Sequence, residues 1–242
     1  MTATHHALRR WVDMCRGTPL HPQWLLGRPE HLKGWLHRCA RGVVVDVGCA
    51  NRWVERSLPA GCTYIGVDYW TTGRKMYSAK PDVFGDAARL PLPSASVDTV
   101  VLFEVMEHLR DPDAAASEIR RILRPDGTLL LTMPFLYPIH DAPYDYQRLT
   151  LHGLKRTLSN AGLAIEEVEE SISAAESAGL LLNLALSGLM AQAVAIRHPA
   201  LVFAPLLAIL MPLINMGAWL SGRLLPSWPA FTAGYRVRAV CE

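Results

Sequence analysis

The chain has 242 residues, half of them hydrophobic, with 24 Lys and Arg against 22 Asp and Glu and a formal net charge of +2. That length can bury a full core in a single α/β domain with decorations. So small a net charge, with no long basic run beyond pairs such as Arg9-Arg10 and Arg120-Arg121, argues against an electrostatic nucleic-acid binder, and no nucleic-acid partner is expected. Five cysteines, Cys15, Cys39, Cys49, Cys62 and Cys241, form no C-x-x-C pair and are odd in number, as reduced structural thiols of a cytosolic compartment would be. The first ten residues lack an apolar signal core and a small-residue cleavage site, which adds to the expectation of a cytoplasmic location.

In chain order, residues 1–41 read as a helical cap. Thr4–Met14 and Glu30–Ala40 carry apolar residues at helical spacing, among them Leu32, Trp35 and Leu36, and Thr18–Pro29 has turn composition. Three valines before Asp46 then predict a strand buried on both faces. The chain must turn after it. Gly48 and Ala50 let the backbone approach a ligand closely, and Asn51 is one of the few non-glycine residues that tolerate left-handed dihedrals. A second strand, Thr63–Val67, ends in Asp68, about twenty residues after Gly48, where an acid can accept hydrogen bonds from both hydroxyls of a ribose. The glycine pattern of a dinucleotide site reads Gly48, Ala50 and Trp53 here, and Trp53 argues against a nicotinamide or flavin dinucleotide.

Tyr69–Lys80 is polar and turn-like, and Asp82–Asp86 reads as a short third strand. The fourth, Thr99–Phe103, delivers Glu104, Glu107 and His108 to the carboxyl end of the sheet, the edge at which open α/β sheets bind ligands. Asp111-Pro112 caps a helix over Ala114–Leu123, Arg124–Gly127 stops it, and Thr128–Met133 is a fifth, buried strand. Pro134–Thr150 follows, with a density of His, Asp, Tyr and Arg that packing alone does not explain, and it is the candidate acceptor loop. Thr150 caps a helix with Leu151, Leu154 and Leu158 on one face that ends at Gly162; Leu163–Glu169 and Gly234–Val240 are the last strands.

From about Gly42 to Gly162 this succession resembles the class I S-adenosylmethionine-dependent methyltransferases, whose cofactor has a ribose and an amino-acid tail but no phosphate. The resemblance implies an α/β, Rossmann-like fold: a seven-stranded, mostly parallel sheet with helices on both faces, an antiparallel closing pair, and a methyltransferase domain over 42–242. It implies S-adenosylmethionine as cofactor, held by Asp46, Gly48, Cys49, Ala50, Asn51, Asp68, Tyr69, Asp86, Ala87, Phe103 and Glu104. Asp86 and Ala87 would meet the adenine, although Asp86 can equally cap a helix. In this family the N-terminal segment packs beside the first strand and can cover the cofactor; a helix that seals the sheet edge is the plainer reading.

Methyl transfer is an in-line displacement, and an oxygen acceptor also needs its proton removed near neutrality. His108 and His140 fit that task by type and expected position, with Asp141, Asp145 and Arg148 as orienting partners; each can also be an ordinary hydrogen-bonded structural residue. Glu104-x-x-Glu107-His108 with His140 resembles the set with which some small-RNA and quinone methyltransferases hold a divalent ion. The same string is common in methyltransferases without a metal, and no metal ligand is assigned.

Residues 172–230 form a hydrophobic helical insert before the last strand. Gly179–Ile196 has no charged residue, and after Arg197 there is none until Arg223, runs of a length that reaches or exceeds a bilayer core. Pro205, Pro212, Asn183, Gln192 and Asn215 weaken a straight double span. An interfacial or re-entrant hairpin on the cytoplasmic face of a membrane, two spanning helices, and an apolar pair buried in the protein or in a homodimer all remain open. The expected activity is methyl transfer to a small or lipid-linked acceptor, on oxygen before nitrogen or carbon; a membrane scaffold that has lost turnover and a cofactor-binding regulatory module are the alternatives.

Overall fold

The computed structural model describes residues 15–27 and 30–241, so the expected Thr4–Met14 helix lies outside the described residues. The described chain divides into two compact units, one of residues 30–135, 139–169 and 234–241, the other of 15–27, 136–138 and 170–233. The segment read as one cap over 1–41 is thus shared between the two.

The first unit is built on a seven-stranded sheet of β1 (Val43–Val47), β2 (Thr63–Asp68), β3 (Val83–Phe84), β4 (Val97–Phe103), β5 (Leu123–Pro134), β6 (Leu163–Glu170) and β7 (Gly234–Cys241), in the order β3-β2-β1-β4-β5-β7-β6. β1 pairs in parallel with both β2 and β4, so strand order reverses there and the carboxyl ends of β1 and β4 flank a crevice. β5 and β7 are antiparallel, from Thr128 opposite Val240 to Pro134 opposite Gly234. Three ion pairs tie β7 to β6: Arg236 to Glu169 at 2.8 Å, and Arg238 to Glu166 and Glu167 at 2.9 and 3.3 Å.

Alternation along the strands divides the core into two layers. On one face α1 (Glu30–Cys39) lays Trp35 and Leu36 against Val44, Val101 and Leu130. On the other, α2 (Pro112–Ile122) and α3 (Leu151–Asn160) bury Ile119, Ile122, Leu154 and Leu158 against Val45, Leu129 and Leu131. The helix starts follow the sequence signals. Asp111 accepts from the Ala114 amide at 2.9 Å with Pro112 at the first helical position, and Thr150 accepts from the Gly153 amide at 3.1 Å. Two local readings differ. Trp70–Tyr77, expected as a polar turn, is helical. The Arg124–Gly127 stop lies inside an extended β5, where Asp126 takes a φ of 62° and pairing with β4 shifts register.

The second unit holds α4 (Ala174–Ala195) and α5 (Ala204–Leu224), so both uncharged runs are helical. Ser173 and Glu176 form a reciprocal cap at the start of α4. Pro205 stands in the first turn of α5, and Pro212 is inside it. Leu180 and Ala233 pack with Leu25 in a small core of this unit. The asparagines that weaken a membrane reading are fully buried and paired with each other, Asn183 Nδ2 donating to Asn215 Oδ1 at 2.8 Å. Asn215 Nδ2 in turn donates to the carbonyls of Pro19 and His21 at 2.7 and 3.0 Å. Most of the rest of the hairpin surface is apolar and open, including Leu189 at 70%, Ile209 at 62% and Leu213 at 63% exposure.

Candidate functional site

A cavity of about 460 Å³ opens at the carboxyl ends of β1, β2 and β4, lined entirely by the sheet unit. Gly48, Ala50, Asp68, Tyr69, Asp86, Ala87, Phe103 and Glu104, eight of the eleven residues read as cofactor-binding, lie on its wall. Leu32 of α1 also reaches it.

One side is the turn after β1. Gly48 takes a φ of 83°, and a Cβ there would lie 2.3 Å from Val105 Cγ2, so only glycine fits. The Gly48 and Cys49 amides both donate to the Val67 carbonyl, at 2.8 and 3.1 Å. Asp68 Oδ2 accepts from the Ala50 amide at 2.9 Å, which ties the acid at the end of β2 to the turn, and burial holds its carboxyl above the usual range. A side chain at Gly73 would collide with Asp68 Oδ1, so the helical turn closes tightly over this carboxylate. Asp86 Oδ1 accepts from the Ala88 amide at 2.9 Å, a local turn bond at the wall. Phe103 is stacked between Trp35 and Trp53 with ring centroids 5.8 Å away on each side. Trp53 therefore fills the position at which a dinucleotide site needs its third glycine.

Asp46, Cys49 and Asn51 are not on the wall. Asp46 is 2% exposed and accepts from the Tyr64 hydroxyl at 2.8 Å beneath the turn. Cys49 is buried toward Gly66, and burial pushes its thiol up to about 12, so it is inert at neutral pH. The left-handed positions are Ala50 and Arg52, with φ of 40° and 60°, instead of Asn51, whose Oδ1 accepts from the Trp53 amide at 3.2 Å and caps the turn from outside.

Burial also pushes the Asp46 carboxyl up to about 7, against the lowering pull of the Tyr64 hydroxyl. A carboxyl whose folded pKa exceeds its unfolded value of about 3.9 holds a proton in the fold that the unfolded chain has released, so stability is lost as pH rises from about 4 through about 7. Asp46→Asn keeps an acceptor for Tyr64 and removes that titration. Melting temperatures measured across this range should favour the variant increasingly toward neutrality, by no more than about 4 kcal/mol, since each tenfold difference in proton affinity between fold and unfolded chain is worth about 1.4 kcal/mol. A constant difference between the two proteins would remove Asp46 as the cause.

The other side of the cavity joins the end of β4 to the 139–150 loop. Glu104 has a φ of 54° and Asp141 one of 50°, and both line the cavity, as does left-handed Ala50. The Glu104 amide donates to the Thr132 carbonyl and hydroxyl, each at 3.1 Å. Its side chain is reachable from the cavity yet deeply surrounded by protein, and this enclosure raises its carboxyl. The loop is pinned to 104–109. Gln147 Nε2 donates to the carbonyls of Met106 and Leu109 at 2.9 and 3.1 Å, the Tyr146 amide to that of Glu107 at 2.9 Å, and His108 Nδ1 lies 2.8 Å from the Tyr144 carbonyl.

Of the residues read as catalytic, His108 and Asp141 are on the wall, while His140, Asp145 and Arg148 are not among the residues that line it. Arg148 Nη2 donates to Asp145 Oδ2 at 2.7 Å, and this pair holds the Asp145 carboxyl down at about 2. Asp145 Oδ2 also accepts from the His140 amide at 2.9 Å. The rings of His108 and His140 meet edge to face, 5.0 Å apart. Among the wall residues not singled out in the sequence are Tyr77, Arg110 and Tyr146, whose polar side chains are hydrogen-bonded there. Tyr77 donates its hydroxyl to Asp141, and Arg110 Nε bonds the Tyr146 hydroxyl at 3.3 Å. Tyr146 was signalled only by the Tyr-rich composition of its loop; nothing local marks Tyr77 or Arg110.

Residues 45–131 match the family model of a methyltransferase domain. Over 155 residues the chain is 36% identical to a probable S-adenosylmethionine-dependent methyltransferase of Mycolicibacterium smegmatis, covering 60% of this chain and 59% of that protein. The chain thus spans about three fifths of that relative's length. The fold is similar to that of a putative methyltransferase of Haloferax volcanii solved with its Trm112 activator, with TM-score 0.58, 17% identity, and 97% and 95% of the two chains covered. It is also similar to an S-adenosylmethionine-dependent methyltransferase of Mesorhizobium loti, with TM-score 0.52, 18% identity, and 89% and 99% covered. With the strand order, the glycine turn and the acid after β2 all in one unit, residues 45–131 carry a methyltransferase domain, and the chain is similar to S-adenosylmethionine-dependent methyltransferases in sequence and in fold.

Proposed function

We propose that this chain transfers a methyl group from S-adenosylmethionine to a hydroxyl oxygen of a small or lipid-linked acceptor, at the cytoplasmic face of a membrane. The observation that carries the reading is the two-sided cavity: the Gly48–Asp68 turn on one wall, and His108, Glu104 and the tyrosine loop on the other. The residues fit the cofactor, since Gly48 leaves a cradle that a Cβ would fill and a buried acid faces the cavity beside it. Bound there, the cofactor supplies an electrophilic methyl on a sulfonium, whose C–S bond breaks as the acceptor's C–O bond forms. Asp68 binds the ribose, and the stacked Phe103 gives a flat apolar wall. The pinned loop aligns the acceptor and keeps water out. The acceptor's proton passes to the imidazole and carboxylate groups at the end of β4.

The hairpin supports the membrane part. Two helices, Ala174–Ala195 and Pro199–Leu224, are long and apolar enough to cross a membrane, and only 22% and 6% of their apolar windows are buried in the fold. A soluble core helix would be mostly covered. Arg223 stacks over Trp219 at 3.7 Å, and Trp228 is 63% exposed, an arrangement suited to a headgroup layer. Full-length protein should pellet with anionic liposomes, and methyl label from the cofactor should move into organic-soluble material of a bacterial extract. Replacing Leu206, Ile209 and Leu213, one open face of α5, by glutamate should abolish pelleting and leave cofactor affinity within about twofold, a free-energy change of about 0.4 kcal/mol. Wild-type protein that stays in the supernatant would overturn the membrane assignment.

A further inference from the structure

The helical segment Trp70–Tyr77 has two faces. Thr72, Met76 and Tyr77, with Tyr69 just before them, line the cavity, and a side chain at Gly73 would collide with Asp68 Oδ1, so this face is seated on the wall. Tyr69, Met76 and Tyr77 are exposed as well as lining, which places the segment at the cavity mouth. Trp70, Arg74 and Lys75 are exposed without lining it. Trp70 stands 52% open, although tryptophan carries one of the largest apolar surfaces to bury. Its contacts are at the surface too. Its ring meets exposed Phe84 edge to face at 4.8 Å, and the Arg74 guanidinium lies over it, also at 4.8 Å.

The charge here has one sign. Residues 70–81 hold Arg74, Lys75 and Lys80, all exposed, and no Asp or Glu. The next acid, Asp82, is already paired with Arg52 at 2.9 Å. A solvated charge run accounts for the cations but leaves the tryptophan open to water, and a core contact accounts for neither. The headgroup layer of an anionic bilayer satisfies both. Trp and Tyr settle where apolar and wet surroundings meet, and Lys and Arg are drawn to the negative surface potential. The same pairing of Arg over Trp recurs on the hairpin, between Arg223 and Trp219.

We propose that Trp70, Phe84, Arg74, Lys75 and Lys80 form a second lipid-contact surface, carried by the sheet unit itself, that docks the cavity mouth on an anionic bilayer. With the other face of the same segment on the cavity wall, a lipid-linked acceptor reaches the site without leaving the headgroup layer. That route rests on the membrane-acceptor reading above; the lipid contact does not. By itself the patch is one weak, reversible signal, in line with the loss of pelleting expected when the open face of α5 is charged.

The test uses full-length protein with vesicles of phosphatidylcholine alone and of equal parts phosphatidylcholine and phosphatidylglycerol. Arg74→Glu combined with Lys75→Glu should weaken partitioning onto the anionic vesicles at least about tenfold and onto phosphatidylcholine by less than about twofold. Trp70→Ser should weaken both. Each variant should keep wild-type affinity for S-adenosylhomocysteine, which shows that it is folded, and amide exchange over 69–77 of the wild type should slow on anionic vesicles. Wild type that pellets with unchanged exchange over 69–77, and variants that partition as it does, overturn the patch and leave the hairpin as the anchor. Loss of partitioning in the charge variant but not in the α5 glutamate variant overturns the hairpin and leaves the patch. Wild type that ignores every vesicle overturns both. A lipid-free dimer in sedimentation that Trp70→Ser dissociates assigns the patch to a second copy of the chain and overturns the lipid contact.

Discussion

Gly48→Ala is expected to destabilise the sheet unit by about 2–5 kcal/mol and to weaken S-adenosylmethionine binding at least tenfold, because two costs fall on one atom. The first is conformational: a φ of 83° costs an L-residue about 1–2 kcal/mol. The second is steric. The new methyl would lie 2.3 Å from Val105 Cγ2, and relieving such an overlap in a packed site costs about 1–3 kcal/mol. Val105 directly follows Glu104 and lines the same cavity, so any shift that relieves the overlap moves the opposite wall. Urea unfolding and calorimetry on the same preparation read both effects. An alanine variant with unchanged midpoint and affinity would show that the turn does not hold its tight conformation in solution.

Asp68→Ala is the second large effect, and it acts mainly on binding. The carboxylate does two things: Oδ2 anchors the Ala50 amide, and the group faces the cavity where a ribose would offer its hydroxyls. Losing hydrogen bonds to a charged acceptor costs about 1.5–3 kcal/mol, which is roughly 10- to 150-fold in affinity. Asp68→Asn keeps one acceptor oxygen and should fall between alanine and wild type. If alanine at this position binds the cofactor as tightly as aspartate does, Asp68 is a strut of the turn and not a ligand.

What was legible in the sequence is what local chemistry dictates. Val43–Val47, Thr63–Asp68 and Val97–Phe103 are recognisable because strands of a parallel sheet are apolar throughout, and the caps at Asp111 and Thr150 because an unpaired helix amide needs a short polar acceptor. The glycine turn and Asp68 stand about twenty residues apart and fall on one cavity wall. What was not legible depends on contacts distant in sequence. Asn51 looks like the left-handed residue by propensity, yet Ala50 adopts that conformation because its amide must reach Asp68. Asn183 and Asn215 look like defects in an apolar run until one is seen bonded to the other and on to the carbonyls of Pro19 and His21, nearly 200 residues away. Glu107 reads as one more carboxylate after a strand; only its burial between two imidazoles distinguishes it. Cys49 and Asp46 were placed among the cofactor residues by their neighbourhood in the motif, but Asp46 on β1 points to the Tyr64 hydroxyl and Cys49, in the turn after β1, packs toward Gly66, both buried.

The most direct test of the whole account is calorimetric titration of full-length protein, purified in detergent, with S-adenosylmethionine and with its demethylated product S-adenosylhomocysteine. The account predicts one site per chain with micromolar affinity for both ligands, about −8 kcal/mol, lost together in Gly48→Ala. A folded sample, verified by a cooperative melt, that takes up neither ligand would contradict it.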